Sequence, residues 1–120
     1  MPFAWRDFLP FAQQLQQASD EVSLRTAVSR AYYAVYGTAK ARLAADGIRL
    51  VSNVRGSHRQ VWVTYKKHHD QRRKQIGVQG ERLHRRRVRA DYELVMSQPA
   101  REAGVTTRAA DQLIRDIDAL

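Results

Sequence analysis

The chain has 120 residues and a formal net charge of +9, with 21 Lys and Arg against 12 acids and no cysteine. That length accommodates one domain, residues 1–120, around one core. The absence of cysteine excludes a disulfide framework and thiolate metal sites, while the charge favours an acidic partner such as nucleic acid or an acidic protein.

Met1–Pro10 carries acid and base but no apolar run of the kind a signal peptide needs. Nowhere does the chain approach 18 consecutive apolar residues, so no membrane span is expected and a cytoplasmic protein is the default. Residues 3–18 read as a first helix, with Phe8, Phe11, Ala12, Leu15 and Ala18 on one stripe. Pro10 either kinks this helix or marks its true start. Trp5 and Phe8 are expected to cover one end of the core.

The stretch 24–43, LRTAVSRAYYAVYGTAKARL, is the organising element. Its small and apolar residues at 24, 27, 28, 31, 34, 35, 38 and 39 cover roughly half of a helix circumference. A helix with so broad an apolar face needs neighbours on several sides, which places it at the centre of a small bundle. Asp20 or Ser19 can cap its start and Gly47 can stop it. Residues 46–57 read as a loop. Ser57 is then the expected cap of a third helix, His58–His68, with Val61, Trp62 and Tyr65 turned inward. Lys66, Lys67, His68 and His69 close its last turn, where cations suit the helix dipole. These histidines read as structural, since no carboxylate stands at ligand spacing; no metal and no other cofactor is expected.

The fourth helix carries the informative chemistry. Ile76, Gly80, Leu83, Arg87, Ala90 and Leu94 fall on one stripe, and all but Arg87 are small or apolar. A guanidinium cannot lose its hydration without a partner, because that costs several kcal/mol. Asp91, one turn on, can supply one. The residues allow either a buried Arg87–Asp91 pair that fixes helix packing or a site at a cleft. Gly77 and Gly80 permit close approach by another helix. Between Lys66 and Arg89 ten lysines and arginines stand against two acids, Asp70 and Glu81. Lys66, Lys67, Arg72, Arg73, Lys74, Arg85, Arg86 and Arg89 are the candidate nucleic-acid contacts. Ala109, Ala110, Leu113, Ile114, Ile117 and Leu120 give a final amphipathic helix, opened by Pro99 or capped by Thr106 or Thr107. No phosphate-binding glycine loop and no GxSxG motif occurs.

Two stretches together resemble a known family. SRAYYAVYGTAKARL, residues 29–43, is similar to the second helix of HEPN domains, small all-helical domains of prokaryotic toxin–antitoxin and defence systems. RLHRRRVRADYE, residues 82–93, resembles the fourth-helix motif of the branch with an R…ADY signature. The resemblance implies an all-α, up-and-down bundle of about five helices and a protein acting on or with RNA. Active members cut RNA without a metal, using an arginine followed after four to six residues by a histidine. Arg87 matches the arginine, but Tyr92 stands where the histidine belongs. Tyrosine, with a pKa near 10, is a poor general base at neutral pH.

The expected catalytic group is therefore Arg87, Asp91 and Tyr92. Ser29 and Tyr33 support it from helix two, on the flank that faces helix four in the resembling family. The activity is that of an endoribonuclease weakened or inactivated at position 92. The alternative is a non-catalytic scaffold that binds an acidic, antitoxin-like protein. HEPN domains commonly pair, and the apolar arc of helix two looks too extensive for one chain to cover. A symmetric homodimer is the expectation.

Overall fold

Helix α2, Glu21–Ala45, is the rod on which the other helices pack. Its 25 residues rise roughly 37 Å at 1.5 Å each, close to the 42 Å long axis of the molecule. Asp20 caps it by accepting the Ser23 N–H at 3.0 Å. The chain leaves its far end through Gly47, whose φ of 71° lies in the left-handed region that glycine tolerates. The computed structural model describes residues 2–120, and every regular element among them is helical. With α1 (Phe8–Leu15), α3 (Ser57–Lys67), α4 (Gln71–Tyr92) and α5 (Pro99–Asp118), the described chain is an all-α bundle of five helices. No helix among the described residues is long and apolar enough to cross a membrane.

The apolar arc of α2 is covered within one chain. Leu24, Ala27, Val28, Ala31, Val35 and Ala39 are all buried, against α1, α4 and α5. The expectation that this arc needs a second copy to cover it is therefore corrected. The main core joins Tyr32, Val35 and Leu43 to Trp62 and Tyr65 of α3, Ile76 and Leu83 of α4, and Leu113, Ile114 and Ile117 of α5. A second cluster of Leu24, Ala27, Val28, Ala90 and Ala103 fills the end nearest the start of α2.

The first predicted helix is shorter than its sequence pattern. A tight turn at Trp5–Asp7 precedes α1, and Pro10 sits in the first turn of α1, where its missing N–H leaves no helical bond unmade. Leu9 and Ala12 form the buried face, while Phe11 is exposed, so the predicted stripe was rotated. Phe8 packs on the core. Trp5 lies against Gly37, where an added Cβ would stand 1.9 Å from its ring.

Two further expectations change. Ser57 is the first residue of α3, not its cap; Gly56 takes the cap position with a φ of 89° and no side-chain bond to offer. Leu94 lies beyond the end of α4 and is fully exposed, so the α4 stripe ends at Ala90. Five residues further on Pro99 opens α5, resolving the alternative starts in its favour. The glycines of α4 serve the predicted purpose. A Cβ on Gly80 would lie 2.3 Å from the Trp62 ring, and one on Gly77 would lie 2.8 Å from the Trp62 carbonyl oxygen. Glycine is what lets α3 approach α4 this closely.

Candidate nucleic-acid site at the seam of α2 and α4

Arg87 occupies the α4 stripe where the pattern puts it, facing α2. Its side chain is 12% exposed. One Nη donates to the Tyr33 hydroxyl. Its Nε lies 3.1 Å from Asp91 Oδ2, an ion pair in distance, although the N–H is not aimed at the oxygen. Ser29 Oγ donates to the same Asp91 oxygen at 3.3 Å. The guanidinium also lies over the rings of Tyr33 and Tyr32, at 5.1 and 5.9 Å from their centroids. The structure thus brings together four sequence-predicted residues: Arg87, Asp91, Ser29 and Tyr33. Arg30 extends the group, its guanidinium 4.9 Å from the Tyr33 ring centre.

Tyr92 does not join them. It is the last residue of α4 and 72% exposed. Five residues after Arg87, it is turned about 140° around the helix from it. The structure does not bring Tyr92, expected together with Arg87, into this group within one chain.

Two histidines stand where sequence reasoning named none for chemistry. His58, at the start of α3, and His84, one turn before Arg87, stack with centroids 5.1 Å apart and planes inclined by 7°. Tyr36 stacks on the other side of His58 at 4.2 Å. Tyr32 Oη lies 2.8 Å from His58 Nδ1 and accepts the Trp62 indole N–H at 3.0 Å. Burial holds the His58 pKa down, to about 4, helped by the charges of His84, Arg87 and Lys40. Burial also lowers His84, and Arg87 and Arg85 lower it further. Tyr32 is pushed upward by its burial. Both histidines are thus neutral near pH 7. The available signal was the three-residue step from His84 to Arg87, which puts them on one helix flank; nothing local announced that α3 would deliver His58 to the same place.

The predicted basic contacts divide. Arg73 is buried and pairs with Asp46 beyond the end of α2, so its expected surface role is corrected: it fastens α4 to α2. Asp46 is held below the usual carboxylate range by Arg73 and then Arg42. Lys66 bridges to Glu81 at 2.8 Å, Arg86 to Glu102 at 2.6 Å and Arg72 to Asp70 at 3.0 Å. Among the described residues Lys67, Lys74, Arg85 and Arg89 have no acidic partner within ion-pair distance. Lys74, Arg85 and Arg89, with Arg82, fall within roughly 80° of the α4 circumference, facing solvent. Tyr92 lies on that same arc. One cleft of about 450 Å³ runs along Gln71, Gln75 and Gln79 beside α5, away from the histidines, and another of the same volume is lined by Arg89, Glu93 and Met96 at the end of the arc.

No family model matches the chain, and no curated protein or solved structure matches it either.

Proposed function

We propose that this is a HEPN-type protein acting on RNA as a homodimer, with the α2–α4 seam as its phosphate site and the outward arc of α4 as its RNA track. The observation that carries the reading is the set Arg87, Tyr33, Asp91 and Ser29. It joins the two stretches that resemble the family, and it keeps a guanidinium at the edge of the core instead of an apolar residue. An arginine held this way has its fork fixed before a phosphodiester arrives, which suits it to stabilising charge that develops at phosphorus. The unpaired cations Lys74, Arg85 and Arg89 supply the non-specific electrostatic attraction. Tyr92, exposed on the same arc, offers a base a stacking surface.

Exposed apolar side chains favour pairing through this face. Val22, Leu94 and Val95 are exposed near the point where Arg25 of α2 binds the carbonyl oxygens of Ala90 and Glu93 at the end of α4. One observation favours the scaffold alternative: Tyr92 is turned away from Arg87, so the motif position contributes no base there. In that reading the same basic arc holds an acidic, antitoxin-like protein.

Titration of a labelled single-stranded RNA at several salt concentrations tests the reading. Log affinity should fall with log salt, by roughly 0.7 per phosphate neutralised. Replacing Arg85 and Arg89 with Ala should flatten that slope and leave the helix content unchanged. RNA that does not bind at 50 mM salt overturns the reading in favour of the scaffold.

A further inference from the structure

We propose that His84 is the general base of an RNA cleavage at this seam, and that His58 holds a phosphate oxygen through its Nε2–H. The inference rests on the RNA-acting reading and supplies the acid–base group that Tyr92 leaves vacant.

The assignment of roles follows from the hydrogen bonds. Tyr32 is fully buried, so its hydroxyl proton needs an acceptor. Its oxygen already receives the Trp62 N–H, and the one ring nitrogen beside it is His58 Nδ1, 2.8 Å away. The hydroxyl therefore donates to that nitrogen, and the ring proton of neutral His58 is confined to Nε2. His58 is left a donor and has no lone pair to act as a base. His84 is different. Among the described residues neither of its ring nitrogens has a hydrogen-bond partner, and the side chain is partly buried, its ring stacked on His58. It is neutral near pH 7 because burial and the neighbouring arginines disfavour a second positive charge. A neutral imidazole with a free lone pair, one turn from a fixed guanidinium, is the arrangement a general base requires.

The step balances. His84 takes the proton of a ribose 2′-hydroxyl. The O2′ forms a bond to phosphorus while the P–O5′ bond breaks, leaving a 2′,3′-cyclic phosphate on the upstream strand. The departing 5′ oxygen takes a proton from water, and the hydroxide so formed takes the proton from His84. Arg87 and the His58 Nε2–H face the charge on the non-bridging oxygens. No metal takes part.

The test uses the full chain, a single-stranded RNA in excess chelator, and the same RNA with 2′-deoxyribose throughout as a non-cleavable ligand. The expected result is a 2′,3′-cyclic phosphate product from the wild type and a loss of about 100-fold or more in rate for His84→Ala. The variant should bind the deoxy strand as the wild type does, keep its thermal midpoint, and recover part of its rate with added imidazole. Tyr32→Phe, which frees the His58 tautomer, should lower the rate less. If His84→Ala cuts as fast as the wild type while Arg87→Ala does not cut, the base assignment falls and the RNA-cutting reading stands. If the wild type binds RNA and never cuts it, the base falls together with catalysis, and the RNA-binding reading remains. If it does not bind RNA at 50 mM salt, both fall.

Discussion

Helix α4 makes two contacts of opposite character along one length. Its first half meets α3 through Gly77 and Gly80, and the Trp62 ring fills the space those glycines leave. Its second half meets α2 through Arg87, with Tyr33, Asp91, Ser29 and two half-buried histidines around it. The first contact is dry and set by backbone proximity. The second is polar, and its groups retain some access to solvent. Close packing excludes water and holds the helices in one arrangement. A polar seam at the edge of a core contributes less stability, but it keeps charged and titratable groups within reach of a ligand. Because α3 carries both Trp62 and His58, the close Trp62 contact also fixes where His58 lies beside the polar seam.

Changes to each half should therefore differ in size and kind. The largest effect is expected from Trp62→Ala. It empties the space above Gly80 and removes the N–H bound by Tyr32, and should cost about 3–5 kcal/mol by urea denaturation. A cost below about 1 kcal/mol would mean the two contacts are not unequal in stability.

Arg87→Ala comes next. It removes the charge-assisted bond to Tyr33 and the ion pair with Asp91 at a side chain that is 12% exposed. A loss of about 2 kcal/mol is expected, less than for Trp62. Equality of the two in the same denaturation series would make Arg87 a packing element first.

A third test uses acidity. The His58 pKa is held down to about 4 in the fold, chiefly by burial, against an unfolded value of 6.5. The unfolded chain therefore binds this proton more readily. Stability is complete above about pH 6.5 and declines as pH falls from there towards 4. His84 is shifted in the same direction and adds to the slope. Both rings are only partly buried, so solvent screening holds the effect to roughly 1 kcal/mol between pH 7 and pH 5. Chemical denaturation at the two pH values measures it, and His58→Gln should flatten the difference. Asp46 and Asp118, held below the usual carboxylate range by Arg73 and Arg6, respond only at lower pH.

The smallest stability effect is expected at Tyr92. Its replacement by Ala should change stability by no more than about 0.5 kcal/mol, since the ring is exposed. The same change should weaken RNA binding by about 1–3 kcal/mol if the ring stacks on a base, whereas Tyr92→Phe should not. Equal losses for both variants would tie Tyr92 to its hydroxyl and to chemistry.

Much of the architecture was legible from periodicity. The apolar arc at 24–39 fixed α2 as the central helix, and the step from Ile76 to Ala90 fixed the inward face of α4, because both patterns repeat over several turns. Arg87 stood out as the one charged member of its stripe and Asp91 followed from helical phase, whereas the facing of Ser29 and Tyr33 towards α4 was what the resemblance implied. Shorter patterns were less secure. The first helix offers two turns only, so Phe11 and Leu9 competed for its buried face. The cap at Ser57 turned on a single glycine before it.

What the sequence by itself determined is the set of helices and the inward position of Arg87, because both follow from local spacing along one chain. It could not decide which of the basic residues are free. Arg73, Arg85 and Arg86 look alike in the sequence, yet Arg73 is buried on Asp46, Arg86 bridges to Glu102, and Arg85 faces solvent. Nor could it bring His58 to His84, which lie 26 residues apart. Both depend on how α3 and α5 lie against α4. The placement of α3 is set by Gly77, Gly80 and Trp62 meeting in three dimensions, and no spacing along the chain encodes it.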